Sequence, residues 1–314
     1  MEAVAAGEVA GAAADNHIEM SFPSSSRDRV GLGWRPELAA GIFAYRDRID
    51  IVEVVADDYF DAPAAALSAL RTLSAQLPVT LHGVTAGLAS VLPVEQARLD
   101  GMARVVKHCQ PEFWSEHLAF VRAGDIEIGH LAAPVRNRQT LEGTLRNLAR
   151  ATETVGSMPA LENVATLIDP PGSEMDEASW LAALLEAEPR LELLLDLHNV
   201  YANSLNFGFD PSAFLASIPL ERVRAIHIAG GKLLEPDPAD PQQKKHLLDD
   251  HLHPVPDPVY ELLAEVASAS TQPLTVLLER DGEYPPMAEL LAELDAARAA
   301  VARGRQEQAR ALSL

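Results

Sequence analysis

The sequence predicts a single α/β domain of the (β/α)8 barrel class, and three observations carry that prediction. Eight short apolar runs alternate with helix-length amphipathic segments through about 280 residues, close to the usual barrel size of roughly 250. No glycine-rich phosphate turn follows an early run. Gly31-Leu32-Gly33 leads into Trp34-Arg35-Pro36, which lacks the third glycine that a doubly wound nucleotide fold needs. Finally, seven of the eight runs end on a histidine or an acid, and a barrel gathers such strand ends at one mouth.

Residues 1–28 lack a periodic apolar face and carry Ser24-Ser25-Ser26 after Pro23, the chemistry of a flexible tail. The barrel is expected over 29–304. Residues 30–34 are a first strand, and Pro36 can start the helix behind it. The β-branched run at 49–55 is a second strand, with a helix at 64–77. A third strand at 78–82 precedes a helix at 94–109, and a fourth at 113–117 precedes a helix at 140–155. The fifth strand, 159–163, leads to a helix at 179–187. Leu193-Leu194-Leu195-Asp196 then opens the sixth, the run around which the others are organised. Such a run, bounded by polar residues, is a strand buried on both faces. A short helix at 214–218 precedes the seventh strand, 223–227. A helix at 259–269 precedes the eighth, 274–279, and an amphipathic helix at 287–303 closes the domain. Residues 305–314 read as a polar C-terminal tail that extends this helix.

The chain has 46 acidic against 25 basic residues, a formal charge of −21, which disfavours nucleic acid and anionic membranes as partners. Cys109 is the single cysteine, so no internal disulfide can form and a reducing cytoplasm is the expected location. No apolar stretch approaches the ~20 residues of a membrane span, and no signal peptide is seen.

The strand ends carry the chemistry. They are Glu53, His82, His117, Glu162, Asp196, His227 and Glu279. The following loops add Asp57 and Asp58, His198, Asp249, His251 and His253. A buried carboxylate without a partner costs several kcal/mol, so a cation or a dense set of donors must compensate Asp196 and its neighbours. Imidazole and carboxylate suit zinc, manganese or non-heme iron. One lone histidine or acid is ordinarily structural or a helix cap; seven converging ones point to a metal site. His17, His108, His130 and His246 fall outside the pattern and are read as structural or surface groups.

These residues resemble the xylose-isomerase-like barrels, which include the endonuclease IV enzymes. Within them they most resemble the multinuclear non-heme iron-dependent oxidative enzymes, formerly a domain of unknown function (DUF692), whose best-known type is the methanobactin-forming oxidase. The matching segments run in the family's order: Val30-Gly-Leu-Gly-Trp-Arg35, Leu81-His-Gly-Val84, Ser115-Glu-His-Leu118, Leu161-Glu-Asn-Val164, Leu194-Leu-Asp-Leu-His-Asn-Val-Tyr-Ala-Asn203, Ile226-His-Ile-Ala-Gly230 and Leu248-Asp-Asp-His-Leu-His-Pro-Val255. Five positions depart from it. Asp57-Asp58 replaces a common Glu-Asn, Glu116 an aspartate, His198 an asparagine, and Gly231 a histidine found in many members.

The resemblance implies that His82, His117 and Glu162 hold one metal. Glu162 bridges to a second, held with Asp196, His227 and Glu279. Asp249 and His251 hold a third, with His198 added. Glu162, Asp196 and His198 are the expected catalytic residues. Glu53, Asp57, Asn163, Asn199, Tyr201, Asn203 and Arg280 are expected to orient ligands or meet substrate. The cofactor implied is two or three iron ions, mixed ferrous and ferric, with dioxygen as co-substrate. The implied activity is oxidation of a ribosomally synthesised precursor peptide, commonly at cysteine, in natural-product biosynthesis, with a small partner protein that binds the leader peptide. Three alternatives remain at this point. They are a metal-dependent phosphodiesterase of the endonuclease IV kind, a sugar isomerase, for which Lys232 is the sole candidate catalytic lysine, and a non-catalytic metal-binding subunit.

Overall fold

The computed structural model describes residues 26–124, 126–235 and 245–313. The expected N-terminal tail, His17 included, lies outside the described residues up to position 25.

Eight parallel strands close a barrel. In chain order the elements begin β1 (Arg29–Gly33), α1 (Ala39–Ala44), β2 (Val52–Val55), α2 (Ala64–Ser74), β3 (Val79–Gly83), α3 (Gln96–Cys109) and β4 (Trp114–His117). A hairpin, β5 (Phe120–Ala123) and β6 (Ile126–Ala132), then precedes α4 (Arg138–Val155), β7 (Ala160–Glu162), α5 (Glu177–Ala187) and β8 (Glu192–Asp196). Next come α6 (Leu197–Phe207), α7 (Pro211–Ser217) and β9 (Val223–Ile228), followed by a second hairpin, β10 (Gly231–Leu234) and β11 (His246–Asp249). The chain ends with α8 (Asp257–Ala269), β12 (Thr275–Leu278) and α9 (Met287–Ala311). The barrel order is β1-β12-β9-β8-β7-β4-β3-β2, and each hairpin forms its own two-stranded sheet.

All eight expected barrel strands are present, most within two residues of their expected bounds. Two features differ from the expectation, while the extension of the last helix through the polar tail agrees with it. Neither hairpin is expected from the sequence, because β6 is exposed along most of its length and its apolar alternation is confined to Ile126-Glu127-Ile128. Helix α6 follows β8 without a loop. Asp196 is its N-cap, accepting from Asn199 N–H at 2.7 Å, so His198 is a helical residue and not a loop residue. Helix α9 continues through the expected polar tail to Ala311. Arg305 explains the extension: its guanidinium bonds the Asp28 carboxylate at 2.8 and 3.1 Å and the carbonyls of Ala267 and Gln272.

The strand period of two sets the height of the site. Ile51, Phe113, Ala160, Leu194, Ala225 and Leu277 pack together as a separate cluster that plugs the barrel. Side chains two residues apart on a strand share a face. Glu53, Ser115, Glu162, Asp196, His227 and Glu279 are each two residues beyond a member of that plug. They form the next layer toward the mouth. Cys109 is buried at the end of α3, where burial pushes its thiol up to about 12, so it is an inert core group.

Candidate metal centre

The polar layer divides into two ligand groups that share one side chain. His82 Nε2 and His117 Nε2 each lie 3.3 Å from Glu162 Oε2. The other oxygen of Glu162 lies 3.1 Å from His227 Nδ1, which is also 3.0 Å from Glu279 Oε2. Donor atoms of His82, His117 and Glu162 form one cluster, and those of Glu162, Asp196, His227 and Glu279 another. Strand register brings them together: His117 is level with Glu162, and Asp196 with His227. His198, Asp196 and His227 are fully buried, and Glu162 is 1% exposed.

These contacts fit cation ligands better than hydrogen bonds. His82 Nδ1 is 2.8 Å from Ser115 Oγ, whose hydroxyl points to the Leu81 carbonyl. His117 Nδ1 is 3.2 Å from the Gly83 carbonyl, which can only accept. Both rings therefore carry hydrogen on Nδ1, and each, when neutral, turns a lone pair on Nε2 toward a carboxylate oxygen. Two acceptors facing each other repel unless a cation lies between them. Accordingly His82 Nε2, Glu162 Oε2, Asp196 Oδ2 and Glu279 Oε2 are buried without a hydrogen-bond partner. Metal–ligand bonds of about 2.0–2.2 Å place neighbouring donors roughly 3.0–3.5 Å apart, the spacing found here.

Electrostatics point the same way. Burial raises the Asp196 carboxyl well above its ordinary range, and the charges of Glu162, Asp249 and Glu279 raise it further. Burial also drives His82 well below its usual value, with His117 and His227 adding to the effect, so its ring is neutral and able to ligate. For His227 burial acts downward, but the carboxylates of Glu279, Glu53 and Glu162 reverse it and hold the ring well above. A cluster with this excess of buried acid calls for positive charge.

A third set of donors lies nearer the mouth. Asp249 Oδ1 is 2.9 Å from His198 Nδ1 and 2.8 Å from His251 Nε2, and His251 Nε2 is 3.6 Å from Glu279 Oε2. Both ring nitrogens of His198 are buried without a hydrogen bond. Gly231 makes room for this ring: a Cβ at 231 would lie 2.7 Å from His198 Cε1 and 2.3 Å from the Leu248 carbonyl oxygen. The two departures at 198 and 231 thus belong together.

The supporting residues sort by geometry. Asn163 exchanges two 2.9 Å bonds with the backbone of Asp196, and Asn199 donates to the Asn163 carbonyl at 3.0 Å, so both brace the ligand-bearing strand ends. Glu53 Oε1 lies 2.8 Å from His227 Nε2. Asp57 accepts from the N–H groups of Val84 and Thr85, fixing the loop after β3. Asn203 holds the loop after β7 through Val164 and Thr166, and Tyr201 packs against the main core. Arg280, expected to orient ligands or meet substrate, is 3% exposed; it donates to Glu293 of α9 at 2.7 Å and to the carbonyl of Leu252, next to His251, at 3.4 Å. Two residues escaped the sequence reading. Asp281 bonds His251, and a signal existed: it lies two positions beyond Glu279, on the same side of an extended chain. His130, read as structural, lines the cavity from β6, a hairpin that sequence did not reveal.

That cavity, about 230 Å³, opens above the ligands. Its walls include His117, His251 and Asp249, together with Leu131, Val164 and Leu247 from the loops and hairpins.

Comparison with known proteins agrees with this geometry. Residues 29–302 match the family described as the RiPP precursor modification enzymes MbnB/TglH/ChrH. The chain belongs to this family. A UPF0276 protein of Streptomyces avermitilis is 37% identical over 276 residues, covering 86% of this chain. The chain spans about half, 54%, of that relative's length. A UPF0276 protein of Bordetella bronchiseptica is 34% identical over 276 residues, covering 88% of this chain and 93% of the relative. Among solved structures, an L-ribulose 3-epimerase superposes with TM-score 0.58 at 14% identity, covering 91% of this chain and 97% of its own. Endonuclease IV from Thermus thermophilus does so with TM-score 0.51 at 18% identity, covering 87% and 99%. These likenesses show the fold alone, a closed eight-stranded parallel barrel with helices between the strands. No helix among the described residues is long and apolar enough to cross a membrane.

Proposed function

We propose that this chain is an iron- and dioxygen-dependent enzyme that oxidises a ribosomally synthesised precursor peptide, at cysteine, during natural-product biosynthesis. The observation that carries the reading is the sharing of Glu162 between two buried ligand groups beneath an open cavity, in a chain of a peptide-modifying family. His82, His117 and Glu162 would hold one iron, and Glu162, Asp196, His227 and Glu279 a second. Asp249, His251 and His198 would hold a third. The irons, in mixed ferrous and ferric states, would supply electron transfer between substrate and dioxygen and would favour the thiolate form of a bound cysteine.

The chain's own residues do the rest. The two carboxylate oxygens of Glu162 point to different ligand groups and set the spacing between them. Ser115 and the Gly83 carbonyl hold His82 and His117 with Nε2 directed inward. Glu162, Asp196 and His198 lie nearest the reacting centre. The cavity, about 230 Å³, has room for a side chain of a peptide, with Leu131, Val164 and Leu247 offering it apolar contact. A separate small protein that binds the peptide's leader is part of this proposal, as is a cytoplasmic location, in keeping with a lone, buried cysteine.

The test is purification under anaerobic conditions with iron, followed by measurement of metal content and of oxygen uptake with a cysteine-bearing precursor peptide encoded beside the gene. Iron retention and peptide-dependent oxygen uptake are expected. Tightly held zinc with hydrolysis and no oxygen uptake would refute the reading and favour a hydrolase on the same barrel.

A further inference from the structure

We propose that Asp281, itself held by Arg35, is a positioning residue that fixes His251 as a cation ligand. This rests on the reading that Asp249 and His251 hold a cation. Asp281 Oδ2 lies 2.8 Å from His251 Nδ1. An ionised carboxylate only accepts, so the hydrogen is on Nδ1, and Nε2 at the far side of the ring is the ligating atom. That atom is the one aimed at Asp249 and Glu279. It is buried and out of hydrogen-bond alignment, although Asp249 Oδ1 is only 2.8 Å away.

The same residue also grips the main chain. The Asp281 N–H donates to the His251 carbonyl at 3.2 Å. His251 has φ 53°, in the left-handed region that a residue with a Cβ rarely enters. A loop does not hold that conformation unaided. Asp281 clasps it at two points, ring and backbone, and so sets where the imidazole stands. Arg35 completes the device: it bonds the second oxygen of Asp281 and donates through Nη1 to the Trp34 carbonyl at 2.8 Å. Three loops, after β1, β11 and β12, are thereby tied to one ligand. A carboxylate behind a ligating imidazole fixes its tautomer and strengthens it as a donor, and loss of such a partner typically weakens a metal site 10–100-fold.

The test uses the full chain with cobalt(II) as the probe, read by its visible spectrum and by competition with a chelator. Wild type is expected to bind one more cobalt ion than His251→Ala. Asp281→Ala should hold that ion about 10–100-fold more weakly, with Asp281→Asn milder and Arg35→Gln milder still. Both ions of the Glu162 groups should keep their affinity and spectrum. If the Asp281 variants bind the additional ion as tightly as wild type while His251→Ala has lost it, the clasp has no positioning role. If His251→Ala keeps the wild-type cobalt count, the Asp249–His251 site itself is wrong and the proposal falls with it. Should Asp281→Ala fail to fold while Asp281→Asn binds all ions normally, the contact is structural and the proposal is overturned.

Discussion

Glu162→Gln removes charge from the one side chain that both buried ligand groups share. Its Oε2 faces His82 and His117 at 3.3 Å, and its Oε1 faces His227 at 3.1 Å. An amide of the same size keeps the packing but supplies no anion to either side, so two ions should be lost together. His82→Ala, whose ring serves only the first group, should lose one. An ion held at one hundred times its Kd adds about 2.7 kcal/mol to stability. In a chain of this size that is roughly 4 °C in Tm, and about twice as much for two ions. Without metal the difference shrinks. The glutamine removes the repulsion between Glu162 and Asp196 but also the attraction of Glu162 for the His227 ring 3.1 Å away, so the metal-free variant should melt within about 1–2 kcal/mol of the metal-free wild type. Metal content per chain and calorimetric melting, each with and without chelator, give both numbers. The argument fails if Glu162→Gln retains the wild-type metal count, if it loses no more than His82→Ala, or if chelator lowers its melting point as much as that of wild type.

Two predictions concern the scaffold. Burial raises the Glu177 carboxyl to about 7, against the opposing effects of Arg136 and Asn203. Because the folded-state value is raised, its contribution to stability is complete below the ordinary value of 4.5 and is lost as pH rises through about 7. Glu177→Gln should therefore flatten the stability profile between those limits and exceed wild type at about pH 8 by roughly 1–3 kcal/mol, measured by urea unfolding. At the other end of the chain, burial pushes the Asp28 carboxyl up, but Arg305 and the Leu274 N–H outweigh it and hold it below its usual value. This stabilisation is present at neutral pH and is lost as pH falls through the depressed value. Arg305→Ala should lower stability at neutral pH by about 1–3 kcal/mol, chiefly through the carbonyls of Ala267 and Gln272 left unpaired, and should abolish the acid-limb contribution of Asp28. Unchanged melting in Arg305→Ala would show that the last turns of α9 do not strap the barrel.

What the sequence determined by itself was the repeat and the chemistry at its ends. Short buried strands are legible because a strand covered on both faces must be apolar throughout. A polar residue at the end of such a run therefore stands out, as Asp196, Glu162 and Glu279 do. Their convergence followed from the barrel class alone, since parallel strands place all their C-terminal ends on one side. The tertiary structure decided what local pattern does not encode. The β5–β6 and β10–β11 hairpins lie over the mouth with much of their surface in solvent; the short alternation Ile126-Glu127-Ile128 alone does not mark a strand, and with them went the placement of His130. The helical setting of His198 depends on the Asp196 cap and on the space left at Gly231, in a different hairpin further along the chain. Arg280 looked like a mouth residue by its place after β12, but the next residue, Asp281, turns inward while Arg280 pairs with α9. Side-chain identity is local information, whereas the partner that fixes a side chain's direction is set by elements that meet only after the chain has closed.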